Sequence, residues 1–200
     1  MTTSNNIKYK VMREGKNYKI VCLEPDHTFF LDPYPQYRMI TILKGMIRVH
    51  YDPVLYFLQQ EQSLIFRTEQ NVNLETDQDT VYVEIQLEAD HLNREAFTKG
   101  NHFRLKDLLG YEIGQIKEIV VAENENLQLQ VLSYGHGTGL NEQAAKTEKV
   151  VFGLEGRAVI GYKRKEYELK AGDVFLIEKN ASYFIHAIEK FKMAQIKVLN

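Results

Sequence analysis

Short runs of apolar residues, interrupted by polar or glycine-containing turns, recur along the whole chain. In the C-terminal half, Tyr167 and Leu169 alternate with charged residues, and Val174–Ile177 is a continuous apolar run. The segments beside them, YKRKE at Tyr162–Glu166 and KAGD at Lys170–Asp173, are typical of turns. Many short strands at nearly even spacing predict an all-β sandwich or barrel.

The sequence also repeats itself with an offset of 111 residues. LKGMIRVHY at Leu43–Tyr51 resembles LEGRAVIGY at Leu154–Tyr162, which places Gly45 opposite Gly156. Without a gap, the same offset aligns NYKIVCLE with QLQVLSYG and VYVEIQL with KMAQIKV. Because this register holds from the first strand to the last, we interpret the chain as two copies of one barrel.

The least strand-like segment lies between the two copies. Asp90 is predicted to cap a short helix through Phe97, and Gly100 is predicted to end it. Leu105, Leu108 and Leu109 suggest a second helical turn or two, and we interpret this segment as a connector packed on the barrels. The predicted organisation is an N-terminal barrel over residues 1–89, a short helical connector over 90–115 and a C-terminal barrel over 116–200.

Composition excludes several classes of function. The net charge is −2 with a pI of about 6.3, and no lysine- or arginine-rich run is present, so nucleic-acid binding is not expected. No apolar run approaches the roughly 20 residues that a membrane span needs. Cys22 is the only cysteine, which rules out an internal disulfide and fits a reducing compartment. The N-terminus lacks the apolar core of a signal peptide, and we therefore expect a cytoplasmic protein.

The C-terminal copy contains two glycines in characteristic surroundings, Gly156 in VFGLEG and Gly172 in AGDVFLIE. In these motifs it resembles the cupin superfamily, whose small antiparallel barrels (double-stranded β-helices) hold a metal or a small ligand. The family pattern is G-x5-H-x-H-x3-E-x6-G followed by G-x5-P-x-G-x2-H-x3-N, and Gly156 and Gly172 fit its glycines. At the ligand positions the chain has Gln143 and Ala145 for the two histidines, Lys149 for the glutamate and Tyr183 for the last histidine.

The N-terminal copy departs further from the pattern. The offset of 111 places Asp32 and Tyr34 at the histidine positions, Arg38 at the glutamate and Val72 at the last histidine. A transition metal needs three or four converging oxygen, nitrogen or sulfur ligands, and a lysine or arginine adds a cation where a cation should bind. The resemblance therefore implies a bicupin with degenerate metal sites, similar in style to the sugar-sensing half of AraC-type regulators.

One alternative concerns His186. The phrase IHAIEK at Ile185–Lys190 is similar to the family phrase PHAIEN, so a three-residue insertion would bring His186 to the ligand position instead of Tyr183. Residues 183 and 186 face opposite sides of a strand, so only one of them can point inward. The gapless register with the first copy favours Tyr183. A bound metal is expected only if His186 replaces it.

The resemblance places a set of candidate ligand-binding residues near the mouth of the second barrel: Tyr134, His136, Gln143, Lys149 and Tyr183, with His186 as the alternative. Gln143 and Tyr183 would hydrogen-bond a hydroxylated ligand, and Lys149 would hold a carboxylate. In a purely structural reading, Tyr183 instead fills the interior with its hydroxyl on a backbone carbonyl, and Lys149 pairs with a nearby glutamate. His136 lies in YGHGTG, either a loop that closes over a ligand or an ordinary turn.

These residues predict a protein that binds a small polar metabolite, carbohydrate-like or a carboxylate, as a sensor or accessory protein and as a homodimer. A second hypothesis is a metal-free or weakly metal-dependent isomerase or epimerase, with His136 or His186 as base and Tyr183 as acid. A third is a purely structural dimer. The segment DPYPQYR at Asp32–Arg38 in the first copy would serve as a dimer contact or a ligand site.

Overall fold

The computed structural model describes residues 9–68, 72–87 and 102–199. These residues divide into two compact units, and the division between them falls between Gln86 and Phe103. The helix predicted from Asp90 to Phe97 lies outside the described residues. A single 3₁₀ turn at Leu105–Leu108 is present where the leucine spacing suggested one, and it buries Leu105.

Both units are built from short strands. The strands of the first unit are β1 (Tyr9–Gly15), β2 (Tyr18–Leu23), β3 (His27–Leu31), β4 (Tyr34–Lys44), β5 (Met46–Tyr51), β6 (Val54–Gln59), β7 (Gln62–Thr68), β8 (Val72–Thr76) and β9 (Thr80–Leu87). Those that follow are β10 (Phe103–Arg104), β11 (Ile116–Glu123), β12 (Leu127–Tyr134), β13 (Gly139–Ala144), β14 (Glu148–Glu155), β15 (Arg157–Tyr162), β16 (Lys165–Lys170), β17 (Val174–Ile177), β18 (Ser182–Ala187) and β19 (Phe191–Val198).

The strand order shows that the two units are copies of one antiparallel barrel. In the first unit the orders are β1-β2-β9-β4-β7 and β3-β8-β5-β6; in the second they are β11-β12-β19-β14-β17 and β13-β18-β15-β16. Adding ten to each strand number converts one unit into the other. The predicted all-β architecture of two tandem barrels is therefore confirmed.

Each barrel encloses its own hydrophobic core, because alternate residues of each strand point inward. The core of the first barrel contains Val21, Leu23, Leu31, Ile40, Ile42, Ile47, Val49, Leu58, Leu64, Phe66, Val72, Leu74 and Tyr82. The core of the second contains Leu132, Tyr134, Ala145, Val151, Ala158, Ile160, Leu169, Ile177, Tyr183, Ile185, Ala187, Phe191 and Met193. Ile47 and Ala158 occupy equivalent positions, as do Val49 and Ile160, so the offset of 111 persists in the core.

The backbone conformation explains why glycine occurs at the same position in both copies. Gly45 and Gly156 precede β5 and β15 and have φ angles of +86° and +72°, a region that side chains rarely adopt. A Cβ atom at Gly156 would lie 1.8 Å from the carbonyl oxygen of Lys190. The turn therefore requires glycine for its dihedral angle and for the close approach of another backbone segment.

Among the described residues, no helix is both long enough and apolar enough to cross a membrane.

Candidate functional site

The second barrel pairs a lysine and a tyrosine on its inner surface. Tyr183 on β18 is 3% exposed and belongs to the core. Lys149 on β14 donates a hydrogen bond from Nζ to the Tyr183 hydroxyl at 2.5 Å, and Nζ also lies 4.7 Å from the centre of the Tyr183 ring. The lysine positive charge is therefore held against the tyrosine by a hydrogen bond and a cation–π contact.

Tyr134 at the end of β12 lies fully buried near this pair. Its ring packs on Phe191 with 5.9 Å between ring centres. Its hydroxyl is buried and makes no hydrogen bond to any residue that the structure describes. Burial raises the pKa of Tyr134, and the neighbouring Tyr183 and Glu118 raise it further, so the phenol stays protonated. A buried hydroxyl without a partner carries an energetic cost that a bound polar group would remove.

Further polar side chains share this inner surface. Gln130 on β12 and Gln195 on β19 are directly opposed, are 3% and 4% exposed, and are joined by a hydrogen bond of 2.8 Å from Gln195 Nε2 to Gln130 Oε1. Lys197 is two residues beyond Gln195, and its Nζ donates to Gln128 Oε1 at 3.0 Å. One end of the barrel interior is therefore polar, whereas the other end is filled by the apolar core.

Two partly buried lysines lie at this polar end, with carboxylates near them. Burial lowers the pKa of Lys149, and the neighbouring Glu118 acts in the opposite direction. Burial is also the main cause that lowers the pKa of Lys197, followed by repulsion from Lys149. Two lysines thus share one end of the barrel, where Glu118 offsets both of them and Glu123 also offsets Lys197.

Part of this site was predictable from the sequence, and part of it was not. Tyr134, Lys149 and Tyr183 come together as predicted from the motif mapping. Gln143 on β13 is directly opposed to Tyr183 and shares its face of the sheet, but its side chain is exposed. Gln130, Gln195 and Lys197 were not among the predicted site residues. The sequence pattern that could have indicated them is a polar residue at every second position of otherwise apolar strands.

The two predicted histidines do not join the site. His186 is exposed, because strand alternation turns its side chain away from the face that carries Tyr183 and Ile185. His136 is exposed in the turn before Gly137. In the purely structural interpretation, the Tyr183 hydroxyl was expected to contact a backbone carbonyl. It contacts Lys149 instead, so that detail was wrong.

The residues at the family's metal positions do not fit a metal ion. Ala145 is buried and has no donor atom, and Lys149 brings a positive charge to the glutamate position. His186 could supply a ligand only from the inner face, and it lies on the outer one. Over residues 9–68, 72–87 and 102–199, no three histidine, cysteine, aspartate or glutamate side chains lie close enough to share an ion.

Comparisons with known proteins agree with the architecture. No protein-family model matches the sequence, and no curated protein matches it either. Among solved structures, a cupin 2 conserved barrel domain protein from Leptotrichia buccalis matches with a TM-score of 0.76 and 19% identity, over 98% of this chain and 92% of that chain. Salicylate 1,2-dioxygenase from Pseudoaminobacter salicylatoxidans matches with a TM-score of 0.60 and 11% identity, over 91% of this chain and 68% of that chain.

A cupin superfamily protein from Desulfitobacterium hafniense matches 52% of this chain over 96% of its own length, with a TM-score of 0.50 and 21% identity. One cupin barrel thus corresponds to about half of the present chain. The protein has the cupin fold in two tandem copies, which is the architecture of a bicupin, and the resemblance proposed from the glycine pattern is confirmed at the level of the fold.

Proposed function

We propose that the protein binds a small polar anion, such as a sugar acid or another hydroxylated carboxylate, inside the second barrel. The observation that carries the proposal is the buried hydroxyl of Tyr134, which has no hydrogen-bond partner in the described structure and lies beside the Lys149–Tyr183 pair. The same surface offers amide groups from Gln130 and Gln195 for ligand hydroxyls. A sensor or accessory protein needs this binding capacity and no further chemistry.

The preference for an anion follows from the lysines. Lys149 and Lys197 repel each other, and burial disfavours their charged forms. A carboxylate between them would offset both effects, because an opposite charge stabilises the protonated amine. A neutral sugar would use the same hydroxyl and amide partners but would leave the lysine repulsion in place.

The test compares gluconate with glucose, which offer similar hydroxyl groups but differ in the carboxylate. We expect gluconate to raise the melting temperature in a thermal-shift assay and glucose to have little effect. Tyr183→Phe and Lys149→Met are each expected to weaken binding about tenfold or more, because each removes a hydrogen bond to a charged group. Equal responses to both compounds would contradict the preference for an anion.

A matched control is Lys163→Met. Lys163 lies on the exposed hairpin between β15 and β16, and its Nζ lies 2.6 Å from Oε2 of Glu178. Replacing Lys163 therefore removes one positive charge outside the barrel. We expect this variant to bind gluconate as the unmodified protein does. If it weakens binding as much as Lys149→Met, general charge rather than the barrel interior is responsible, and the proposal is wrong.

The other predictions from the sequence stay predictions. Cytoplasmic location and a homodimer await fractionation and analytical ultracentrifugation. The epimerase hypothesis required a histidine opposite Tyr183, and both histidines named for that role are exposed. The structure thus favours binding over that reaction.

A further inference from the structure

The first barrel has a cavity of about 160 Å³ that opens to solvent. Its lining divides into an apolar part and a polar part. The apolar part comprises Val11, Val21, Phe29, Leu31, Pro33 and Tyr82, and the polar part comprises Lys19, Asp32, Arg38, Glu84 and Gln86. Every one of these residues belongs to the first unit, so the cavity is independent of the polar cluster in the second barrel.

Arg38 on β4 is the polar residue whose contacts are incomplete. It is 3% exposed. Its Nη2 donates to the carbonyl oxygen of Asp32 at 3.0 Å, and its Nε lies 3.1 Å from Oε1 of Glu84. The remaining nitrogen, Nη1, is buried and donates no hydrogen bond within the described part of the chain. A buried donor without a partner carries an energetic cost, so this nitrogen requires an acceptor.

We propose that this cavity binds a small monocarboxylate, whose carboxylate accepts a hydrogen bond from Arg38 while its apolar body packs against Val21 and Phe29. An arginine is the residue best suited to this task, because its planar guanidinium matches the geometry of a carboxylate. The site is distinct from the one proposed in the second barrel and takes a smaller and less polar ligand.

The size and charge of the cavity define the ligand class. A cavity of roughly 150 Å³ is large enough for benzene, so a ligand of about six to nine non-hydrogen atoms fits. The charged residues of the lining, Lys19 and Arg38 against Asp32 and Glu84, sum to zero. A monoanion is therefore acceptable, whereas a dianion would add repulsion from Asp32 and Glu84 that the lining does not offset. Short branched or aromatic acids meet both conditions.

The experiment is calorimetric titration with isovalerate and benzoate, each compared with its neutral amide, isovaleramide and benzamide. The acid and amide in each pair have nearly the same size and shape but differ in charge. We expect each acid to bind at least about tenfold more tightly than its amide, since a hydrogen bond between two charged groups exceeds a neutral one by that amount. Equal affinities within a pair would overturn the proposal.

A double variant tests whether the acids bind in the first barrel. Replacing Arg38 alone leaves the buried Glu84 without its partner and destabilises the fold. The variant is therefore Arg38→Gln combined with Glu84→Gln, which removes both charges and keeps hydrogen-bonding groups of similar size. We expect it to lower the affinity for the acids at least about tenfold, to the level of the amides. Unchanged acid binding in a folded double variant would refute the site.

The matched control neutralises an exposed ion pair of the same unit, Arg48→Gln with Asp77→Asn. These two residues contact each other on the barrel exterior, with 2.5 Å between Arg48 Nη1 and Asp77 Oδ2. We expect this control to bind the acids normally, and a tenfold loss in it would show that charge outside the cavity controls binding. If Lys149→Met abolishes acid binding and the Arg38 and Glu84 double variant does not, the acids bind in the second barrel and the proposal is wrong.

Discussion

Arg38 and Lys149 occupy the same position in the two copies, 111 residues apart, and each directs a positive charge into its own barrel. In the cupin pattern this position holds a metal-binding glutamate. Arg38 forms an ion pair with Glu84, and Lys149 donates a hydrogen bond to the Tyr183 hydroxyl. Each barrel thus has a cationic side chain at the position where the cupin pattern has a metal ligand.

We predict that the purified protein contains no stoichiometric transition metal. A resident ammonium or guanidinium group repels a divalent ion, and Ala145 supplies no ligand atom. Elemental analysis after dialysis, with and without prior incubation in zinc, manganese and iron salts, measures this directly. Retention of one metal ion per chain would show that ligands other than those named here converge in a barrel.

Replacing only one residue of the Arg38–Glu84 ion pair is predicted to destabilise the protein strongly, whereas replacing both residues is predicted to destabilise it less. Arg38→Met should lower the free energy of unfolding by about 3–5 kcal/mol, because it leaves a buried carboxylate without compensation. Replacing both residues with methionine should cost less than the sum of the single changes. Urea denaturation of the four proteins in a double-mutant cycle provides the measurement.

The exposed Arg48 provides the comparison for that cycle. Its contacts with Glu75 and Asp77 lie at the surface, so Arg48→Met should lower the free energy of unfolding much less than Arg38→Met does. Similar costs for Arg38→Met and Arg48→Met would mean that the Arg38 pair is effectively solvated.

Stability is predicted to depend on pH through Glu84. Burial raises the pKa of Glu84 above its ordinary value. The positive charges of Arg38 and Lys19 oppose this rise, and the negative charges of Asp32 and Glu14 add to it. The folded state therefore binds a proton more readily than the unfolded state does. This contribution to stability is present below about pH 4.3, the unfolded value, and is lost as the pH rises through the folded pKa.

The measurement compares the unmodified protein with Glu84→Gln at a series of pH values. The variant lacks the titrating group, so the difference in unfolding free energy between the two proteins should change in favour of the variant as the pH rises through that window. A difference that is constant with pH would mean that the pKa of Glu84 is the same in the folded and unfolded states.

Two glycines with the same φ angle allow the cost of backbone strain to be distinguished from the cost of a steric clash. Gly156 and Gly137 both have φ of +72°, but a Cβ atom at Gly156 would meet the Lys190 carbonyl, whereas one at Gly137 would have nothing within 4 Å. Gly137→Ala should therefore cost about 1–2 kcal/mol from the left-handed conformation alone. Gly156→Ala should cost more, about 2–5 kcal/mol, because the overpacking adds to the strain. Equal losses in thermal denaturation would mean that the turn at Gly156 relaxes freely.

The fold was predictable because its signals are local. Turn sequences such as YKRKE, apolar alternation within each strand and the spacing between Gly45 and Gly156 all depend on residues close in the chain or on one constant offset. The inward orientation of Tyr183 followed from the same offset, and the structure agrees with it. The exposed His186 follows from it too, since neighbouring residues of a strand alternate between faces.

The binding surfaces were only partly predictable because they combine strands that are distant in sequence. Gln130 and Gln195 are 65 residues apart and meet only because β12 and β19 pair. A register shift between Val120 and Ala122 changes which residues of β11 face inward, so alternation alone does not assign them. The segment Asp32–Arg38 was expected to serve as a dimer contact or a ligand site, and the structure places Asp32, Pro33 and Arg38 on the wall of a cavity.

The sequence by itself determined the duplicated barrel, its glycine turns and the loss of the metal ligands, because periodicity and residue identity are properties of the chain. Only the tertiary structure decided which charges share an interior: Arg38 with Glu84 in one barrel, and Lys149 with Tyr183 in the other. Strand pairing sets those distances, and the burial that it produces turns ordinary charged side chains into groups that require a partner.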